Sequence, residues 1–442
     1  MDLINQIKEA GIIGAGGAGF PTHAKLAAEA EYILMNGAEC EPLLRVDQQL
    51  MAVFADEIIK GFEWAGRAVA AKKAIIGIKK KHGEVIAHLR ERIQALNLAD
   101  YMEIGELPDI YPAGDEQVLV YELTGRVVPE AGIPIMVGCV VVNSETALNI
   151  YKAAQGQPVT EKYITIAGDV PHRLTVKVPV GTPILDVLKL SGIEDFSDYA
   201  VIDGGPMMGP VMTDLSGYVT KKNKGFVILP KSHFLIRKKT TTPEQAKKVN
   251  KAACEQCRMC TDLCPRYLLG HNMQPHKMMR AQSYPFGGMD GLQMAQLCCQ
   301  CNLCELFSCP AGLHPKMANL SIKAMLTKEN IRYKTEQTEF HARTMRDYRL
   351  VPSKRLIARL GLKDFDQAAP LSDVTLTPDV IRIYTRQHVG APAQPIVSVG
   401  QHVDAGQMIG SIPADSLGAA IHTSVSGSVT EVTPDYIEIR RQ

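Results

Sequence analysis

The first 160 residues alternate between stretches with helical spacing of apolar residues and short apolar runs with strand character. Helices are predicted over Leu3 to Ala10, Ala24 to Ala30, Gln48 to Ala70 and Val85 to Leu96. Strands are predicted over Tyr32 to Met35, Ala74 to Ile78 and Pro134 to Val142, and a further helix from Asn143-Ser144-Glu145-Thr146. Strands that alternate with helices form α/β layers with a largely parallel sheet. We therefore predict an α/β domain over residues 1–160.

The pattern changes after residue 160 to short strand-like runs between turn residues. These runs are Tyr163 to Ala167, Leu174 to Val178, Ala200 to Ile202, Gly217 to Thr220 and Gly225 to Leu229. One helix, Pro183 to Leu190, interrupts them, which is typical of a β-grasp domain at residues 161–236. The basic stretch Arg237 to Thr242 is interpreted as a linker, either a solvated connector or a docking segment for an acidic electron-transfer partner.

Two further units follow. Residues 244–345 carry all the cysteines except Cys40 and Cys139 on a mainly helical background, with a helix predicted over Lys316 to Leu326. Residues 378–442 return to short strands separated by glycine turns, which predicts a small all-β barrel or sandwich.

Composition limits the classes of function. The chain has 442 residues, 46% of them hydrophobic and 21% charged, which excludes wholesale disorder or a fibre. The net charge is 48 − 47 = +1, so no overall field favours nucleic acid or an anionic membrane. The longest apolar stretches fall short of the roughly 20 residues of a membrane span. The first residues lack the features of a secretory signal, so we expect a cytoplasmic protein without a membrane span.

The clustered cysteines form two runs with ferredoxin spacing. They are Cys254-x2-Cys257-x2-Cys260-x3-Cys264-Pro265 and Cys298-x2-Cys301-x2-Cys304-x4-Cys309-Pro310. In two-cluster ferredoxins the fourth cysteine of each run binds the other cluster. We assign one [4Fe–4S] cluster to Cys254, Cys257, Cys260 and Cys309, and the second to Cys298, Cys301, Cys304 and Cys264.

Alternatives exist at several cysteines. Zinc also binds C-x2-C pairs, but three cysteines at consecutive x2 spacings followed by proline favour iron–sulfur. Cys299 is an alternative ligand to Cys298, although the spacing favours Cys298. Cys40 and Cys139 are interpreted as buried small apolar side chains.

A glycine-rich loop, Gly14-x-Gly16-Gly17-x-Gly19, follows the first predicted helix. It has the letters of a dinucleotide fingerprint, but that fingerprint requires a preceding strand. Consecutive glycines still allow the backbone to approach a phosphate, and Lys25 on the next predicted helix adds a positive charge. We interpret the loop as a phosphate site, with a tight turn that only packs as the alternative.

Several segments resemble the flavoprotein subunit of respiratory complex I and the C subunit of Rnf electron-transport complexes. They are Gly14 to Leu26, Asn36 to Pro42, Tyr111 to Glu116, Leu123 to Arg126, Val142 to Thr146 and Asp203 to Gly209. With the twin cysteine runs, this resemblance covers nearly the whole chain. It implies a multidomain α/β plus β-grasp fold with a helical bis-[4Fe–4S] ferredoxin-like domain and a C-terminal barrel-sandwich (all-β) domain.

The same resemblance implies the cofactors and their contacts. Noncovalent FMN is expected to bind Gly14, Gly16, Gly17, Gly19 and Lys25 near its phosphate. Its ribityl chain and ring are expected near Asn36, Glu39, Asn143, Ser144 and Thr146. NADH is expected to stack on Phe20, with Glu41 and Glu116 nearby.

The C-type proteins of Rnf complexes carry the barrel-sandwich domain at the N-terminus, whereas here it is C-terminal. This order resembles the cobalamin reductases of propanediol-utilisation microcompartments. The implied reaction passes electrons from NADH through FMN and two [4Fe–4S] clusters to cobalamin, whose cob(I) state is captured for adenosylcobalamin regeneration. An adenosyltransferase and microcompartment shell proteins are then expected partners, and a bacterial microcompartment the expected location.

Two other classes of function stay open. One is an electron-input subunit of an Rnf-type membrane ion-pumping complex, and the other is a scaffold whose clusters are structural. No acid–base dyad is required for electron transfer, so no catalytic side chain is assigned. His271, His276 and His314 flank the cysteine runs and are given surface or capping roles rather than corrinoid contacts.

Overall fold

The computed structural model describes residues 2–282 and 290–442. The first unit contains α1 (Leu3–Glu9), α2 (Thr22–Lys25), β1 (Tyr32–Asn36), α3 (Val46–Val53), α4 (Ala55–Ala68), β2 (Lys73–Lys79), α5 (Gly83–Ala95), β3 (Met102–Leu107), β4 (Ile110–Tyr111), α6 (Glu116–Thr124), a 3-10 turn (Pro134–Val137), β5 (Cys139–Asn143) and α7 (Ser144–Ala154). Four parallel strands form one sheet in the order β3-β2-β1-β5. The predicted parallel α/β layer is therefore present.

The order of these strands places a crevice between β1 and β5. The chain leaves β1 toward β2 on one side, while β5 lies on the other side. Asn36 and Asn143 are paired in register where the two strands end. Crevices at such switch points, outside the carboxyl ends of parallel strands, are common ligand sites.

Three predicted elements in this unit differ from the structure. The helix predicted over Ala24 to Ala30 is the four-residue helix Thr22–Lys25, and Leu26, which follows it, is only 1% exposed. The helix predicted over Gln48 to Ala70 breaks at Phe54, whose backbone leaves the helical region and whose ring packs on Tyr163. The strand predicted from Pro134 starts only at Cys139, since a 3-10 turn and Gly138 at φ +71° precede it.

The second unit contains β6 (Glu161–Gly168), β7 (Leu174–Pro179), α8 (Ile184–Lys189), β8 (Tyr199–Asp203), β9 (Gly225–Pro230), α9 (Phe234–Lys239) and α10 (Pro243–Ala253). Its strands form a mixed sheet that a two-residue strand at Leu371–Ser372 completes at one edge. The strand predicted over Gly217 to Thr220 is reduced to an isolated bridge between Tyr218 and Pro183.

The prediction that Arg237 to Thr242 form a linker is wrong. Its first half is the end of helix α9, which buries Leu235 and Ile236. The ammonium of Lys239 donates to the Gly209 carbonyl at 2.6 Å, and that of Lys238 to the Leu313 carbonyl at 3.0 Å. Lys238 thus connects helix α9 to the cysteine-bearing unit, whereas Lys239 fastens the same helix to the rest of the second unit.

The cysteine-bearing unit is built from short helices. They are α11 (Met259–Asp262), α12 (Pro265–Leu268), α13 (Pro275–Ala281), a 3-10 segment (Asp290–Leu297), a π-helical turn (Cys304–Ser308) and α14 (Pro315–Lys328). The chain then returns through 3-10 turns (Arg346–Tyr348, Lys363–Phe365), β10 (Val351–Pro352), α15 (Ser353–Arg359) and β11 (Leu371–Ser372). Strand β10 pairs antiparallel with β4, so this return segment fastens the unit to the first one.

The C-terminal unit consists of short antiparallel strands. They are β12 (Val380–Tyr384), β13 (Gln394–Pro395), β14 (His402–Val403), β15 (Met408–Ser411), β16 (Ile421–His422), β17 (Gly427–Val432) and β18 (Tyr436–Arg441). Two sheets enclose a core that includes Ile381, Ile383 and Ile437, as expected for the predicted all-β unit.

This last unit packs against the first one. The Val389 N–H donates to the Gly19 carbonyl at 3.1 Å. The buried ammonium of Lys221 donates to the carbonyls of Gly11 and Ala420 at 2.7 and 2.9 Å. Within residues 2–282 and 290–442, no helix is long and apolar enough to cross a membrane.

Candidate flavin and iron–sulfur site

A cavity of about 410 Å³ lies at the carboxyl ends of β1 and β5. This volume is within the usual range for small-molecule and cofactor sites. Most predicted cofactor residues line it, namely Gly14, Gly16, Gly17, Gly19, Phe20, Lys25, Asn36, Glu39, Glu41, Glu116, Asn143 and Thr146. Ser144 does not, because it is fully buried and its hydroxyl donates to Asp47 at 2.6 Å.

The glycine loop forms one wall of the cavity. The Ala15 N–H donates to the Thr146 hydroxyl at 3.1 Å, and the Gly14 N–H to the Phe20 carbonyl at 2.9 Å. A Cβ added at Gly17 would have no neighbour within 4 Å and would enter open space beside the cavity. Gly19 has φ +76°, a conformation that favours glycine. The loop thus leaves room for a group to approach the backbone closely.

Lys25 is the cation at this wall. Its ammonium donates to the Val141 carbonyl at 3.0 Å and pairs with Glu116 at 3.3 Å. Helix α2, which carries Lys25, spans only four residues. The positive charge near the loop therefore comes from this side chain rather than from a long helix.

A carboxylate pair with a lysine forms the opposite wall. Glu39 accepts the N–H groups of Asp47 and Gln48 at the start of helix α3. Burial and the nearby Asp47 raise the pKa of Glu39 to about 7. Lys224, from the second unit, pairs with the buried Asp47 at 2.5 Å.

Asp47 and Lys224 were missed from the sequence. Asp47 also accepts from the Asn143 amide at 3.1 Å and so orients a residue that was predicted. An Asp on an amphipathic helix and a Lys in a turn carry no motif signal, and only tertiary packing brings them together.

Glu41 lies where the first unit meets the second. Its two carboxylate oxygens accept the N–H groups of Met207 and Met208 at 2.8 and 2.9 Å. Burial raises the pKa of Glu41, opposed by these N–H groups and by Lys239. Met208 lines the cavity and is 52% exposed.

The second cysteine run reaches the same cavity. Cys299 and Cys301 both line it, and the Tyr111 hydroxyl donates to the Cys301 carbonyl at 2.7 Å. Arg266, two residues after Cys264 of the first run, forms a salt bridge at 2.6 Å with Asp115 at the start of helix α6. This salt bridge fixes the segment after Cys264 against the wall of the cavity that Asp115 and Glu116 form.

The thiols fall into two neighbourhoods. Burial, together with the nearby Cys309, Cys257 and Cys254, raises the pKa of Cys260 to about 12. Burial likewise raises the pKa of Cys264, whose neighbours are instead Cys299 and Cys298. The fourth cysteine of each run therefore lies beside the other run, as in exchanged two-cluster ligation.

The two runs share one backbone pattern. Positive φ angles occur two and four residues after Cys254, at Gln256 and Arg258, and again at Gln300 and Asn302. The second pair is two and four residues after Cys298, so Cys298 and not Cys299 corresponds to Cys254. The Gln300 N–H donates to the Cys298 sulfur at 3.4 Å. This hydrogen bond is of the kind that stabilises cluster thiolates.

The other singled-out residues have packing contacts. His271 and His314 are buried, so neither is a surface residue, while His314 stands at the N-cap position of helix α14 without a side-chain capping hydrogen bond. His271 contacts the Val128 carbonyl at 2.8 Å, and His314 contacts Glu305 at 3.1 Å inside the cysteine-bearing unit. Cys139 is buried in the first core, and Cys40 is partly buried at the cavity.

The residues present fit the implied groups. The glycine loop leaves a space that a Cβ at Gly17 would enter, which suits a flavin phosphate. The cysteines form two sets with N–H groups directed at sulfur. Among the residues that the structure describes, no three His, Cys, Asp or Glu side chains lie close enough together to hold a single metal ion.

Family models match three parts of the chain. The Nuo51 FMN-binding domain matches residues 7–152, a 4Fe-4S dicluster domain matches residues 253–314, and the RnfC barrel sandwich hybrid domain matches residues 359–441. Fold, cavity and cysteine sets together define a flavin- and iron–sulfur-dependent oxidoreductase, so the cofactors FMN and iron–sulfur are supported.

Comparison with similar proteins narrows the class of oxidoreductase. The chain is 42% identical over 438 residues to the cobalamin reductase PduS of Citrobacter freundii, covering 99% of this chain and 96% of that protein. It is 41% identical to cobalamin reductase PduS of Salmonella typhimurium, covering 100% and 96%. The C subunit of an ion-translocating oxidoreductase complex from Actinobacillus succinogenes is 34% identical over 61% of this chain and 37% of that protein. The chain belongs to the cobalamin reductase PduS family.

Proposed function

We propose that this protein is an NADH-dependent reductase that delivers electrons through FMN and two [4Fe–4S] clusters to cobalamin. The resulting cob(I) state supplies adenosylcobalamin regeneration. The observation that carries the proposal is the shared cavity, which both the glycine loop and Cys301 line. A flavin in that cavity lies directly beside the second cysteine set.

Each wall of the cavity has a role in holding the cofactor. The loop Gly14 to Gly19 and the Lys25 ammonium would hold the FMN phosphate. Asn36 and Asn143, at the ends of adjacent strands, would bind the ribityl chain and ring together with Glu39 and Thr146, while Ser144 supports them through Asp47. FMN, when bound, accepts a hydride and releases single electrons to iron–sulfur clusters.

The nucleotide side is the open mouth of the cavity. Phe20 is 38% exposed there and offers a ring face on which nicotinamide can stack. Glu116, paired with Lys25, completes this side, and Glu41 lies nearby with its carboxylate bonded to the Met207 and Met208 N–H groups. We propose NADH as the dinucleotide that binds here.

The cluster order follows from burial. The inner set, Cys298, Cys301, Cys304 and Cys264, adjoins the cavity through Cys301. The outer set, Cys254, Cys257, Cys260 and Cys309, reaches the surface at the exposed Cys257. We propose that the inner cluster takes electrons from the flavin side and passes them to the outer cluster.

Domains, location and partners are proposed with the function. The domains are residues 1–160, 161–236, 244–345 and 378–442, with β-grasp character in the second. We propose a cytoplasmic location within a bacterial microcompartment, with an adenosyltransferase and shell proteins as partners. The similarity to cobalamin reductases supports cobalamin as the electron acceptor.

An anaerobic titration of the purified protein with NADH tests the function. Flavin absorbance and cluster EPR signals are recorded first, and cobalamin is then added. We expect flavin and clusters to be reduced and the corrinoid to be reduced after them. Reduced centres with an oxidised corrinoid would instead favour an electron-input subunit for another partner. Absence of reduction by NADH would contradict both.

A further inference from the structure

Residues 204–209, here called the methionine loop, join the flavin side to the inner cysteine run. Glu41 accepts both N–H groups of the Met207–Met208 pair, at 2.8 and 2.9 Å. The carboxylate oxygens of Glu41 are thus committed to backbone donors. A carboxylate that accepts two backbone N–H groups makes strong, charge-assisted hydrogen bonds.

The opposite side of the same loop is held by the cysteine-bearing unit. The Met207 carbonyl accepts from the Asn302 amide at 3.0 Å and from Lys239 at 3.2 Å. Asn302 lies between Cys301 and Cys304 in the inner run. Its Oδ1 has no hydrogen-bond partner among the described residues, so the bond to Met207 is the one its side chain makes.

The fit around Glu41 is close. A Cβ at Gly205 would lie 2.1 Å from the Glu41 carboxylate, which only glycine avoids. The Tyr111 hydroxyl lies 3.5 Å from Glu41 and donates to the Cys301 carbonyl. Glu41 is therefore connected to the inner run by two routes, through the methionine loop and through Tyr111.

We infer that Glu41 is a positioning residue that holds the methionine loop between the flavin cavity and the inner cysteine run. It acts through Met207 and Met208, and it sets the relative placement of flavin and inner cluster. This inference rests on the proposed function, but its first test does not depend on NADH.

Hydrogen exchange of the purified protein, read by mass spectrometry, is that first test. In Glu41→Gln one of the two acceptor oxygens is replaced by a donor, so one of the Met207 and Met208 amides loses its acceptor and the peptide that carries this pair should exchange roughly tenfold faster. Glu116→Gln is the matched control, because Glu116 also lines the cavity but pairs with Lys25. Unchanged exchange in Glu41→Gln would overturn the inference.

A kinetic readout separates positioning from nucleotide contact. After mixing with NADH, the ratio of the cluster reduction rate to the flavin reduction rate should fall several-fold in Glu41→Gln. A raised KM for NADH with an unchanged ratio would overturn the inference in favour of direct nucleotide contact. If NADH reduces neither centre in the unsubstituted protein, the proposed function is wrong. The hydrogen-exchange experiment still tests whether Glu41 holds the methionine loop, because it does not use NADH.

A second variant approaches the loop from the cluster side. Asn302→Gly keeps the left-handed backbone at φ +69° but removes the bond to Met207. We expect faster exchange of the methionine loop, by a smaller factor than in Glu41→Gln. Protection equal to that of the unsubstituted protein would show that the loop is not held from the inner run.

Discussion

The loop from Cys254 to Cys260 lies at the surface, whereas the loop from Cys298 to Cys304 is enclosed by other units. Cys257 is exposed and Met259 is 44% exposed in the outer loop. In the inner loop, Cys301 and Cys304 are each 8% exposed, as is Cys260 in the outer loop, so among the ligand cysteines the loops differ at the middle position. Both loops have positive φ angles at the same two offsets, so the backbone alone does not distinguish them.

The difference between the two loops lies in what packs on them. Tyr111 and the methionine loop contact the inner loop, and the inner loop lines the flavin cavity. The outer loop follows helix α10, whose Lys247, Lys248 and Val249 are exposed. On the proposed function, one ligand geometry serves an inner and an outer redox centre, and the surrounding residues decide which is which.

Substitution of a ligand cysteine should have the strongest effect, namely the loss of one cluster. Cys257→Ser should lower bound iron from about eight to about four per chain while FMN is retained. Cys301→Ser should lower iron equally, but it should also prevent NADH from reducing the remaining outer cluster. Iron content, flavin content and EPR check both variants. A normal two-cluster iron content in Cys257→Ser would refute the ligand assignment.

The second strongest effect is expected from a substitution that prevents flavin binding and leaves both cysteine loops in place. Gly17→Leu should lower FMN retention about tenfold or more, because its side chain would occupy the space left beside the loop. FMN released on denaturation, relative to protein, is the measurement. Gly83→Leu is the control, since a Cβ there also meets nothing within 4 Å but lies away from the cavity. Undiminished FMN would remove the phosphate-loop assignment.

The sequence predicts local features of this arrangement better than contacts between distant segments. Cysteine spacing and consecutive glycines act over a few residues, so both were recognisable. The pairing of Asp47 with Lys224, and that of Glu41 with the methionine loop, each join residues more than 160 positions apart. Lys239 was interpreted as part of a linker for the same reason, because its acceptors lie in other segments.

A smaller effect compares the ion pairs beside the two loops. Arg266 and Asp115 form a two-bond pair, with side chains 10% and 13% exposed, next to the inner loop. Arg266→Gln leaves a buried carboxylate and should cost about 3–5 kcal/mol of unfolding free energy. Beside the outer loop, Arg258 and Asp262 are 4.0 Å apart and more exposed, so Arg258→Gln should cost only about 0–1 kcal/mol. Denaturant midpoints of both variants test this, and equal losses would contradict the difference in burial between the two ion pairs.

The smallest effect concerns a proton on the flavin side of the inner loop. Burial and Asp47 raise the pKa of Glu39 from 4.5 to about 7, partly opposed by Lys224. Between pH 4.5 and about pH 7, Glu39 binds more protons in the folded protein than in the unfolded chain. The contribution of Glu39 to stability is therefore full below pH 4.5 and is lost as the pH rises toward about 7.

Glu39→Gln should remove this part of the pH dependence. Denaturant midpoints measured between about pH 5 and pH 8 should fall less steeply with rising pH in the variant than in the unsubstituted protein. Glu91→Gln, on the exposed face of helix α5, is the control and should follow the unsubstituted curve. Among the described residues, burial raises the pKa of the carboxyl groups of Glu39, Glu41 and Asp203. None of these lies in the outer loop. Parallel curves for Glu39→Gln and the unsubstituted protein would show that the proton is not held at the flavin side.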